Sequence, residues 1–104
     1  MSERFRLSGP AERDLDDIWD YVSERNRTAA DRLLERLWDR FGFLALYPGT
    51  GQLQKLIGSS VRAFPEAKYV VYFRPIDAPE HNIEIMRVLH GSRDASRHFD
   101  SEQQ

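Results

Sequence analysis

The hydrophobic period of this 104-residue chain changes once, at "YPGTG" (residues 47–51), and that change divides what it can fold into. Before it, apolar residues recur every three or four positions, the spacing of one helix face. Ala11, Leu15, Ile18, Trp19 and Val22 form one stripe. Ala30, Leu33, Leu34, Leu37, Trp38, Phe41, Leu44 and Ala45 form a second. Ser8 with Pro10 suits a helix start, since proline is tolerated in the first turn. The acids Glu12, Asp14, Asp16 and Asp17 suit the positive end of that helix dipole. "ERNRT" leaves a short connection in which Asn26 or Thr28 can cap the second helix. Helices joined this tightly form an antiparallel hairpin.

After "YPGTG" the pattern reads as strands. "SVRAF" (60–64) is a short one, stopped by Pro65 and the turn "PEAK". "KYVVYFRP" is rich in β-branched and aromatic residues and ends at Pro75, as a buried strand does. "IEIMRVLH" follows the turn "IDAPEHN", and the opening "RFRL" alternates like a strand with one apolar face. "GSRDASRHFD" predicts a short final helix anchored by Phe99. The expected architecture is α+β: an N-terminal strand, an antiparallel helix hairpin packed on one face of a small antiparallel sheet, and a short C-terminal helix. One domain over residues 1–104 is expected, with no internal repeat or low-complexity segment.

Composition narrows the classes. The chain is 40% hydrophobic and 31% charged, ordinary for a soluble domain. It has no cysteine, hence no disulfide framework and no thiolate metal site. The charged start "MSERFRLSGPAERD" lacks the apolar core of a signal peptide, and no apolar run approaches the ~20 residues needed to cross a bilayer. A cytoplasmic protein without membrane contact is expected. A net charge of −2 hides an asymmetry: residues 10–26 are acidic, whereas Lys55, Arg62, Lys68 and Arg74 face only Glu66 between residues 51 and 75. That basic stretch reads either as a solvated face or as a surface for nucleic acid or an acidic peptide. The overall balance argues against non-specific coating of DNA. Trp19 and Trp38 lie on the apolar stripes, which predicts core packing rather than base stacking.

Enzyme signatures are sparse. Glycines at 49, 51 and 58 precede no GK[ST] and no helix, so there is no phosphate loop. Nothing resembles a nucleophile elbow. His81, His90 and His98 lack metal-ligand spacing, so neither metal nor cofactor is expected. The remaining polar set is Lys55, Arg62, Lys68, Arg74, Arg87, His90 and Arg93, with Tyr47, Tyr69 and Tyr72. Such residues are able to run metal-free RNA cleavage, with arginines holding charge on the phosphorane and proton transfer at both oxygens. His90 has the ordinary pKa nearest neutrality, though a histidine at a strand end is equally a structural residue. Arg62 reads either as functional or as a solvent-facing edge residue. Arg87, flanked by Met86 and Val88, needs a partner or an anionic ligand, because an unpaired buried charge costs several kcal/mol. Glu84 and Asp94 are the partners nearest in sequence. Both "KYVVYFRP" and "IEIMRVLH" are apolar on both parities, which leaves the sheet face of each arginine open.

"VRAFP", then "YVVYFRP", then "RVLHGSRD", after the helices "RLSGPAERDLDDIWDYVSERN" and "AADRLLERLWDRFGFLALYPGTGQ", resemble the RelE/ParE superfamily of bacterial toxins, and its ParE-like branch in particular. The likeness runs from Phe5 to about Phe99. It implies the toxin of a type II toxin–antitoxin module, held in check by a ParD-like antitoxin that covers grooves of the helix hairpin and sheet. ParE-like members are associated with poisoning DNA gyrase; RelE-like members cut messenger RNA on the ribosome. Arg62 and Arg87 match the arginine positions of the nucleases, but only Lys55 stands for their lysine pair, and for their C-terminal tyrosine or histidine the closing segment offers no tyrosine, with His90 or His98 the nearest substitutes. The resemblance thus implies a non-catalytic binder without sequence-specific recognition of nucleic acid, with a ribosome-dependent ribonuclease (Lys55, Arg62, Arg87, His90) or a weakly toxic antitoxin-binding relative as alternatives. Target contacts are expected at Arg62, Arg87, His90, Gly91, Arg93 and Asp94. On this reading Arg87 and "HGSRD" form one working edge of the sheet, Gly91 allows a sharp exit and Asp94 holds Arg87 or Arg93 in place.

Overall fold

The computed structural model describes residues 3–92 together with Ala95, His98 and Phe99. Strand β1 (Phe5–Leu7) buries Phe5 and stops at Ser8. Ser8 has extended backbone, its side chain accepts a hydrogen bond from the Ala11 N–H at 3.1 Å, and Pro10 occupies the first turn of α1 (Gly9–Ser23). Asn26, not Thr28, caps α2 (Arg27–Leu46), accepting from the Ala29 N–H at 3.0 Å. The stripes pack as the spacing requires: α1 buries Ala11, Leu15 and Ile18, and α2 buries Ala30, Leu37, Phe41, Leu44 and Ala45.

The two tryptophans depart from the expected core. Trp38 is 40% exposed; its ring meets Phe5 edge-on at 5.0 Å and its N–H donates to Glu3. Trp19 is half-buried, donates to Asp31 at 2.9 Å and lies beneath the Arg27 guanidinium. An indole N–H needs a polar partner, and that need holds both rings at the rim of the helix hairpin.

The strands β2 (Gln52–Leu53), β3 (Arg62–Glu66), β4 (Tyr69–Pro75) and β5 (Ile83–His90) form with β1 a five-stranded sheet in the order β1-β5-β4-β3-β2. The α+β class holds, but the sheet is mixed rather than antiparallel: β1 runs parallel to β5, pairing Phe5 with Ile83 and Leu7 with Ile85. A parallel pair needs a long crossover, and the helix hairpin with three strands supplies it here. Strand β2 is an addition to the expected set. It starts at Gly51, whose φ of 90° and whose Cβ position, 2.6 Å from the Ala63 carbonyl oxygen, admit glycine alone. Strand β3 runs through Pro65 instead of ending before it. β2 pairs only with Arg62 and Ala63, so no neighbouring strand requires a donor from Pro65.

Two apolar layers result. On the helix-bearing face Val71, Phe73, Ile83, Ile85 and Val88 pack against the helices. On the outer face Val61, Tyr72 and Leu89 lie with Phe99, whose ring meets Tyr72 edge-on at 5.4 Å. Of the expected closing helix, Ala95, His98 and Phe99 are helical; its other residues, Arg93 and Asp94 among them, lie outside the described residues. Between Tyr72↔Arg87 and Phe73↔Ile85 the pairing skips Met86, a bulge in β5. The bulge puts Ile83, Ile85 and Val88 on one face despite their odd spacing.

An interaction groove beside the open end of β5

Beyond Leu7, β5 continues without β1 beside it, and the start of α1 closes most of that exposed edge. The Ser8 N–H donates to the Ile85 carbonyl at 3.0 Å, and the Ser8 hydroxyl donates to the carbonyl of bulged Met86 at 2.8 Å. One turn further along α1, Asp14 Oδ2 accepts the Val88 N–H at 2.9 Å. The same carboxylate binds the Arg87 guanidinium with both oxygens, Nε to Oδ2 and Nη2 to Oδ1, each at 2.8 Å. The side chains of Arg87 and Asp14 are only 13% and 11% exposed. Forked geometry and a third hydrogen bond are the conditions under which a desolvated ion pair is tolerated.

Arg87 is therefore held by Asp14, whereas Glu84 serves Arg6 and Arg74 at 3.1 Å each. Asp14 was legible as an anomaly: with Ala11, Leu15 and Ile18 it shares the buried helical stripe. A carboxylate there and an arginine amid a strand's apolar residues are complementary irregularities.

Between α1 and the β3–β4 hairpin opens a groove of about 950 Å³. Its floor is apolar, with Ile18, Val22, Leu33 and Val88; Asp17 stands on the helix bank, and Lys68, His90 and His98 stand on the sheet bank. The His90 ring meets Tyr69 edge-on at 5.6 Å, and its Nδ1 accepts the Ser92 N–H, which places the proton of a neutral ring on Nε2. Burial, with a smaller contribution from Tyr21, raises the Tyr69 phenol above its ordinary value.

A family model described as "ParE toxin of type II toxin-antitoxin system, parDE" matches residues 5–95. The chain belongs to the ParE toxin family. It is 36% identical over 97 residues to Toxin ParE1 of Caulobacter vibrioides, covering 91% of this chain and 96% of that one. It is 28% identical over 100 residues to Toxin ParE1 of Mycobacterium tuberculosis, covering 95% and 100%. A solved structure titled "Chromosomal ParDE TA system from P. aeruginosa" shares its fold, with a TM-score of 0.66 at 20% identity over 85% of this chain and 95% of that one.

In this ParE-family chain the groove gathers Arg87 and His90 but neither Arg62 nor Lys55. Arg62 pairs across the sheet with Phe73, donates to the Gly51 carbonyl at 3.1 Å, and lies two strands from Arg87. Lys55 is exposed in the connection between β2 and β3. Of the expected target contacts, Arg62 thus stands apart from Arg87 and His90, and Arg87 is engaged in a clamp to Asp14. The expected basic stretch is dispersed too, since Arg74 is engaged by Glu84 on the outer face. Gly91 needs no special backbone freedom: Gly51 is the glycine with positive φ among the described residues. What Gly91 meets is the Lys68 carbonyl, to which its N–H donates at 2.8 Å.

Proposed function

We propose that this type II toxin arrests growth by binding and poisoning DNA gyrase in the cytoplasm, and that a ParD-like antitoxin neutralises it by covering grooves of the helix hairpin and sheet. The observation that carries the non-catalytic part is the separation of the nuclease set. Arg87 is neutralised by Asp14, while Arg62 and Lys55 stand outside the groove that holds His90. A metal-free ribonuclease needs its cations and its proton carriers around one phosphate. These residues are not so grouped. Family membership supports the toxin–antitoxin context, and His90, which lines the groove, with Gly91 next to it in the chain are the described candidates for target contact.

The test is a paired assay of antitoxin-free protein. One arm follows supercoiling and DNA cleavage by gyrase; the other follows message cutting in a reconstituted translation system. Gyrase inhibition with intact message is expected. Cut message with normal gyrase would overturn the reading and return Arg62, Arg87 and His90 to a catalytic role.

A further inference from the structure

One rung of the sheet carries charge across three strands. Arg6 of β1 and Arg74 of β4 both pair in register with Glu84 of β5, which stands between them. Ile83 and Ile85 are buried toward the helices, so alternation sets the Glu84 side chain on the outer face. Each arginine holds one oxygen of that carboxylate at 3.1 Å, Arg6 the Oε2 and Arg74 the Oε1. The Glu84 side chain is only 16% exposed, whereas the two cations are 45% and 42% exposed. Arg6 uses Nε alone, so both its Nη groups lack a partner among the described residues, as does Nη1 of Arg74. Arg4, exposed two positions before Arg6, donates to the uncharged side chain of Asn82 at 2.7 Å. The acids of the β4–β5 connection, Asp77 and Glu80, form no ion pair with these arginines among the described residues. Three guanidiniums thus share one carboxylate, a local excess of positive charge in a chain whose net charge is −2.

We infer that this rung binds the phosphate backbone of DNA, without reading its sequence. The inference rests on the gyrase reading only for which DNA is met. Glu84 orients both guanidiniums and leaves their outer N–H donors to solvent, the fork that phosphate oxygens accept. A lone anion set between the two arginines meets that carboxylate. A chain of evenly spaced phosphates avoids it by placing one phosphate on each guanidinium. The apolar part of the outer face, at Val61, Tyr72 and Leu89, is already buried beside Phe99. An acidic peptide would therefore find charge here and no pocket for its apolar side chains. Contacts to phosphate alone fix position and carry no sequence information.

The probe is a short labelled DNA duplex of arbitrary sequence, titrated with the whole chain over a range of salt and without gyrase. Three phosphate contacts predict that log affinity falls against log salt with a slope of about −2.7. Arg4→Gln, Arg6→Gln and Arg74→Gln should each reduce that slope by about 1 and weaken binding about fivefold at low salt. The latter two each leave Glu84 its other arginine, and pairs this exposed add little to stability, so the variants should stay folded. Arg32→Gln removes the same charge from an exposed position on α2 and should bind within about twofold of the parent. An equal loss in Arg32→Gln overturns the inference, because the attraction would then belong to the chain as a whole. Absence of duplex binding at low salt overturns it too. Tighter binding to polyglutamate than to the duplex overturns it in favour of an acidic protein partner. Unimpaired gyrase in the presence of a chain that still binds the duplex would instead count against the poisoning reading and leave this site standing.

Discussion

Two ion-paired clamps tie the sheet to the helices, and they are built in opposite senses. At β5 the cation is on the strand: Arg87 reaches α1, where Asp14 takes both its nitrogens and a backbone N–H. At β3 the anion is on the strand. Glu66, buried at the end of β3, accepts from Arg36 at 2.9 Å and Arg40 at 2.7 Å, one helical turn apart on α2. Arg40 also covers the rings of Phe43 and Phe64, at 5.0 and 4.8 Å from their centres. The first clamp forks one desolvated cation onto a single carboxylate that also takes a backbone N–H. The second shares one acid between two cations, of which Arg36 is 60% exposed. Redundancy and solvent make the second tolerant; enclosure makes the first the more demanding joint.

The sharpest way to break this contrast is Asp14→Ala. It removes both Asp14 bonds to a nearly enclosed guanidinium and the acceptor of the Val88 N–H together, so a loss of about 3–5 kcal/mol is expected in chemical denaturation. A loss below about 1 kcal/mol would show that the pair is no tighter than a surface bridge. Arg87→Ala empties the same clamp, so its first expected effect is on the fold. Any toxicity measurement on it needs a stability measurement beside it.

Glu66→Gln should cost less, about 1–2 kcal/mol, because both arginines keep access to water. Its pH behaviour separates it from the other clamp. Burial alone would raise the Glu66 carboxyl, but hydrogen bonds and charges from Arg40 and Arg36 outweigh that and hold it below its ordinary value. A folded value below the unfolded one means that this contribution is complete above the unfolded value, ~4.3, and is lost as pH falls through the folded one. Denaturation midpoints measured from neutral pH into that acid range should therefore fall less in Glu66→Gln than in the parent. Equal slopes would remove Glu66 from the acid response.

A smaller effect is expected at the turn that sets Glu66 in place. Ala67 sits at φ 55°, where a side chain crowds its own carbonyl. Ala67→Gly should raise stability by about 0.5–1 kcal/mol in the same assay, the relief exceeding glycine's extra freedom in the unfolded chain. The smallest effect belongs to Arg36→Ala, at most about 0.5 kcal/mol given its exposure and the remaining Arg40. A larger loss there would mean that the two cations act jointly.

Both helices were legible in the sequence because their signals are local. Ser8, Pro10 and Asn26 cap where their chemistry says they should, and the stripes bury the residues that their spacing selects. Strands β4 and β5 were legible as runs of branched and aromatic residues. The direction of β1 was not, because parallel or antiparallel pairing depends on how the chain returns over 78 residues and leaves no mark in "RFRL". Nor was the face of Arg87. The Met86 bulge shifts the parity of β5 midway, and alternation cannot register a shift that only the partner strand imposes. Glu84 and Asp94 stood nearest Arg87 in sequence, while the acid that holds it lies 73 residues away. Of the candidate site, Arg87 and His90 do line the groove; Arg62 does not reach it.

The bond from the Ser8 hydroxyl to Met86 spans 78 positions, and it has a consequence for synthesis. The first strand and the first helix of this chain emerge early, yet the peptide groups they must meet belong to the last strand. At roughly 5–20 residues per second, several seconds of translation separate the two. During that interval Asp14 has no arginine and Phe5 has no strand beside it, so the N-terminal quarter waits unfinished for β5. A toxin assembled this way cannot close its sheet until β5 has left the ribosome.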